Sequence, residues 1–85
     1  MDRIVFSKEE GLTEDEKKAE LRDALNNAYL ALKEKGYTPI DQLTGFVLNN
    51  DESYLTTHNN ARRRLAAFDM EEIVEELLVS YFRDL

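Results

Sequence analysis

The sequence predicts an all-α fold, a compact bundle of about four helices, and three observations predict it. Apolar residues recur at steps of three and four along the longer segments. Helix start signals stand at Thr13, Thr38 and Asp69. The stretches between the periodic segments are short, so consecutive helices pack as neighbours in one domain over residues 13–85.

The first twelve residues mix Ile4, Val5 and Phe6 with charged residues and Gly11, which reads as a short mobile arm over 1–12. The apolar triplet either frays or adds to a neighbour as a short strand or peg. Thr13-Glu14-Asp15-Glu16 has the spacing of a capping box, so a helix starts there. Leu21, Leu25, Ala28 and Leu32 lie on one stripe. Lys33 and Lys35 suit the negative end of a helix that closes at Gly36, which bounds the first helix to Glu14–Lys35.

Thr38-Pro39 repeats the start signal, with threonine as the cap and proline at the first helical position, where an amide donor is not needed. Ile40, Leu43, Phe46 and Val47 form the apolar face, and Asn49-Asn50-Asp51 favours a turn that ends the second helix. Gly45 inside that helix costs about 1 kcal/mol relative to alanine and points to a close approach of another backbone. A polar stretch from Glu52 to Asn60 is anchored by Tyr54 and Leu55. Ala61, Leu65 and Phe68 then mark a short third helix.

Asp69-Met70-Glu71-Glu72 starts the fourth helix. Its apolar stripe of Met70, Ile73, Val74, Leu77, Leu78, Tyr81 and Phe82 is wide, while Glu71, Glu72, Glu75 and Glu76 are expected on the solvated face. A stripe that wide exceeds what so small a bundle covers, so a homodimer is expected to bury its outer edge. A domain of 85 residues buries only roughly 60–65% of its unfolded surface, which points the same way.

Composition restricts the function classes. The hydrophobic share of 42% is that of a folded domain, even with 34% of residues charged. No cysteine is present, which removes disulfides, thiolate nucleophiles and thiolate metal sites and fits a reducing compartment. The start of the chain reads as no signal peptide and no apolar run approaches the roughly 20 residues of a membrane span, so a cytoplasmic protein with no membrane partner is expected. A net charge of −7 disfavours nucleic acid.

The search for chemistry ends in surface roles. The one histidine, His58, shares no motif with Ser7, Ser53 or Ser80 and reads as solvated or capping. Glu71/Glu75 and Glu72/Glu76 stand one turn apart without a histidine at ligand spacing, so neither a metal site nor an acid–base pair is expected. The three glycines are isolated, which leaves no phosphate loop. No catalytic residue, metal or cofactor is expected, and the chain reads as a non-enzymatic, partner-binding protein. Arg62, Arg63 and Arg64 fan across roughly 200° of helix, so they read as solvated or salt-bridged, or as a dock for an acidic or phosphorylated segment. The competing reading is a small dimeric helix-turn-helix-like module that binds nucleic acid. It is weakened by a second helix, Pro39–Leu48, with Asp41 and no lysine or arginine.

Ala31-Leu32-Lys33-Glu34-Lys35-Gly36-Tyr37-Thr38-Pro39-Ile40-Asp41-Gln42, followed by Gly45-Phe46-Val47-Leu48, resembles the central signature of the IreB family. Asp51, Tyr54, Ala61-Arg62, Glu72-Ile73-Val74-Glu75-Glu76-Leu77 and Ser80-Tyr81 follow in the same order and spacing, so the resemblance spans residues 20–83. It implies a small, helical, dimeric cytoplasmic regulator in signalling by Gram-positive transmembrane Ser/Thr kinases with extracellular PASTA domains. Such a protein acts without catalysis and is phosphorylated on threonines near its amino terminus. This chain departs from the pattern in its arm, which carries no threonine, in its Asn49–Glu52 turn, and at Met70, where the family usually has a charged residue. Ser7 and Thr13 are the candidate phosphoacceptors, and Phe6, Arg62, Arg63 and Arg64 the candidate partner contacts.

Overall fold

The structure, a computed structural model, describes residues 13–85. Helix α1 spans Glu14–Glu34 and α2 Pro39–Asn49; single 3-10 turns follow at Glu52–Tyr54 and His58–Asn60, then α3 at Ala61–Ala66 and α4 at Met70–Phe82. Every described element is helical, as the periodicity predicts.

The helix ends follow local chemistry. The Thr13 hydroxyl accepts from the Glu16 amide at 3.0 Å, and the Glu16 carboxylate accepts from the Thr13 amide at 2.9 Å, so both halves of the capping box form. At the other end Gly36 adopts φ +85°. The Tyr37 amide reaches the Leu32 carbonyl and the Gly36 amide the Lys33 carbonyl, each at 3.0 Å, which satisfies two orphan acceptors. Helix α2 begins at Pro39, yet the Thr38 hydroxyl makes no cap bond; its carbonyl instead accepts from the Gln42 amide at 3.1 Å. Asn50, in the left-handed region at φ 49°, ends the helix.

Helix α1 is the centre of the bundle and packs against α2, α3 and α4. Its buried face is Leu21, Ala24, Ala28, Ala31 and Leu32, and Ala61 and Leu65 of α3 meet it. The small side chains let α1 and α3 come close, and Phe46, Leu55 and Ile73 close the core. Helix α4 joins the body chiefly through α1.

Two expectations change on inspection of the packing. The nearest approach to Gly45 is by a side chain rather than a backbone: the ring of Tyr54 lies where a Cβ would stand. The ring is held in place because Gln42 Nε2 donates to the Tyr54 carbonyl at 2.9 Å and Asn49 Nδ2 to its hydroxyl at 3.3 Å. The second change is in α4. Glu76, expected on the solvated face, is only 5% exposed and turns inward with Ile73. Helix α4 rests on α1 along one edge of its stripe, so the helix covers Glu76 and leaves the middle of the stripe open.

Candidate functional site

The three arginines separate as their angular spread requires. Arg62 is half-buried and donates from Nε at 3.0 Å and Nη2 at 2.7 Å to the carbonyl of Leu55, which ties the irregular segment to α3. Arg64 pairs with Asp23 of α1 at 2.8 Å. Arg63 is exposed and has no hydrogen-bond or ion-pair partner among the described residues. Beside them, Asp51 is held below the usual carboxylate value because the Ser53 amide and hydroxyl bond its ionised form and the Arg62 charge adds to the effect.

His58, expected to be solvated or capping, keeps 34% of its side chain exposed, and its Nε2 lies 2.7 Å from Glu34 Oε1, a surface contact between the second 3-10 turn and the end of α1. Asn27 Nδ2 donates to the Asn59 carbonyl at 3.1 Å and fixes the same segment. There Asn59 and Asn60 adopt φ of 54° and 60°, a region that asparagine tolerates better than most residues. Thr13 is engaged in its capping box. Phe6 and Ser7 lie outside the described residues.

The glutamate rows do not converge. Glu72 approaches Lys17 at 3.7 Å, and Glu76 approaches Arg22 at 3.4 Å and Arg83 at 3.9 Å. Among the described residues no three metal-ligating side chains come together, and no helix is long and apolar enough to cross a membrane.

An apolar surface remains that reading along the chain located only in part. Beyond Glu76 no residue of α4 is buried: Leu77, Leu78, Val79, Tyr81 and Phe82 are all exposed, Tyr81 to 83%. At the foot of this projecting tail a groove of about 310 Å³ opens between α1, α2 and α4, lined by Leu25, Ile40, Leu43, Val47, Ile73 and Leu77 with no charged side chain. On its rim Leu48 is 78% and Ile40 62% exposed. Tail and rim together expose large apolar side chains on a domain that is otherwise strongly charged. The sequence stripe of α4 foretold the tail. The groove has no local signal, because it is made by three helices.

The fold is thus a small helical domain with an exposed apolar face and no cluster of metal-ligating side chains among its described residues. A family model described as IreB regulatory phosphoprotein matches residues 8–83, nearly the whole chain, and the protein belongs to that family. Its role is therefore regulatory.

Proposed function

We propose that this protein is a non-enzymatic, cytoplasmic, homodimeric regulator in Ser/Thr kinase signalling, which acts by binding protein partners and is itself a kinase substrate. The observation that carries the reading is the match to a regulatory phosphoprotein family from residue 8 to residue 83. The uncovered apolar tail of α4 supports protein partners and a second copy as one of them.

Ser7 is the favoured phosphoacceptor and Thr13 the lesser one. The Thr13 hydroxyl is already bonded in the cap and stands beside Glu14, Asp15 and Glu16, so a phosphate there meets like charge and breaks the capping box. Phe6 flanks Ser7 as an apolar contact. Among the arginines, Arg63 is the most available to an acidic or phosphorylated segment, Arg64 reaches one by releasing Asp23, and Arg62 acts mainly by shaping the surface.

The test is a pull-down from a Gram-positive lysate, read by mass spectrometry, with bait that has or has not been treated with a PASTA-domain kinase. Retention of a kinase or another signalling protein that changes with phosphorylation is expected. Retention of nucleic-acid machinery alone, indifferent to the kinase, would overturn the reading in favour of a nucleic-acid-binding module.

A further inference from the structure

We propose that a second groove, between α1 and α4 on the glutamate side of α4, is the seat of the chain's own amino-terminal segment, Arg3–Lys8, with Phe6 as its anchor, and that negative charge on Ser7 releases it. The release rests on the kinase reading of the proposed function; the seat itself does not.

The groove encloses about 140 Å³ between the first half of α1 and the middle of α4. Leu21 is buried there, and the half-buried Phe68 and half-exposed Val79 supply the rest of its apolar lining. The α1 wall carries Lys17, Lys18 and Arg22, and the α4 wall Glu72, Glu75 and Glu76. By the 100° step these glutamates and Val79 share one face of α4, roughly opposite Tyr81, so the groove stays open when the apolar tail is covered.

Position and reach select the occupant. Glu14 also lines the groove and follows Thr13 directly, so residues 1–12, which lie outside the described part of the chain, join it at the edge of the groove. Helix α1 rises about 12 Å from Thr13 to Leu21, and the seven residues from Thr13 back to Phe6 span up to roughly 23 Å, with Gly11 available for the reversal. A tether that short holds the segment at an effective concentration on the order of millimolar, an advantage over any untethered peptide.

Size and charge agree. A cavity of about 150 Å³ accepts a benzene ring, and Phe6 is the one aromatic residue of the segment. Arg3 and Lys8 bracket Ile4-Val5-Phe6-Ser7 with no acid between them. Across the groove Lys17 stands 3.7 Å from Glu72 and Arg22 3.4 Å from Glu76, whereas Glu75 is exposed with no ion-pair partner among the described residues. Glu75 is therefore the carboxylate left to receive a cation of the segment. A phosphate on Ser7, next to the anchor, brings roughly −1.5 to −2 of charge and offsets the two cations. The groove itself counts four glutamates against three cations, so it does not welcome that charge.

The chain has no cysteine, so a nitroxide attached at Asp2→Cys in the full-length protein reports where the segment lies. The amide resonances of Leu21, Arg22, Glu75 and Val79 are expected to broaden while the Gly36–Tyr37 end of α1 stays sharp. Phe6→Ala should weaken the seating about tenfold, the worth of one buried aromatic ring. Broadening confined to the first turn of α1, or unchanged in Phe6→Ala, would overturn the seat. Equal broadening in an isotope-labelled, nitroxide-free copy mixed with nitroxide-bearing ones would give the groove to a neighbour's arm and overturn seating on its own chain. Ser7→Glu supplies negative charge without a kinase and should sharpen the same amides, so this readout stands apart from the kinase reading. An arm that seats normally in Ser7→Glu would overturn the release.

Discussion

The guanidinium of Arg62 grips the main-chain oxygen of Leu55 with two hydrogen bonds, at 3.0 and 2.7 Å, and the Leu55 side chain beneath is fully buried. An arginine that looks in sequence like part of a basic patch is thus the fastening of the segment between α2 and α3. Replacing it with alanine removes both bonds to this part-buried carbonyl, at a cost of about 1–3 kcal/mol. Chemical denaturation should show that loss for Arg62→Ala, whereas Arg63→Ala should change stability by less than about 0.5 kcal/mol. Equal losses at the two positions would contradict the division of roles.

Gly45→Ala inserts a methyl group where the Tyr54 ring lies. Overpacking costs about 1–3 kcal/mol, and the gain in helix propensity returns about 1 kcal/mol. Net destabilisation is expected, and a double-mutant cycle with Tyr54→Ala should show strong coupling because the smaller side chain vacates the space. Independent effects at the two sites would remove the contact as the reason for the glycine.

Glu76 is buried while its partners Arg22 and Arg83 keep 44% and 55% of their side chains in solvent. Removing the carboxylate therefore removes the desolvated member and strands no buried charge. Glu76→Leu should leave the melting temperature unchanged or raised, in line with the roughly neutral to 1–4 kcal/mol favourable outcome of such replacements. A marked fall would show that the ion pairs outweigh the burial of the carboxylate.

Acid should find a weak point at Asp51. Its folded value lies below 3.8 because Ser53 and Arg62 favour the ionised form, so the unfolded chain takes up the proton first. The contribution is complete above 3.8 and fades as pH falls through the lower folded value. Denaturant titrations on the acid side should lose less stability in Asp51→Asn than in the wild type. Parallel pH curves would count against the assignment.

Helix boundaries were the legible part of the fold because they are set by nearest neighbours: Thr13 with Glu16, Gly36 with the last carbonyls of α1, and Pro39 at the start of α2. Helix facing was less so. Leu21, Ala28 and Leu32 are placed in the core by their spacing, and Ala24 and Ala31 on the same side of α1 are buried with them. The stripe of α4 was visible, but which of its edges would face α1 was not, since a stripe that wide offers several seats and the choice of Ile73 with Glu76 is made by the rest of the bundle. The irregular segment hid most. Nothing local to His58 signals Glu34, twenty-four positions away, as its partner. Of the candidate contacts, Arg62 grips the Leu55 carbonyl and Arg64 pairs with Asp23, while Arg63 has no partner among the described residues, a division that the spread of the three around the helix does not by itself assign.

The central claim is that kinase signalling reaches this protein through its amino-terminal arm, and intact-mass and peptide-mapping mass spectrometry after treatment with a PASTA-domain Ser/Thr kinase tests it most directly. The account expects a single phosphate on the peptide that contains Ser7, absent in Ser7→Ala and retained in Thr13→Val. No phosphate at all, or phosphate confined to the helical domain beyond Thr13, would contradict it.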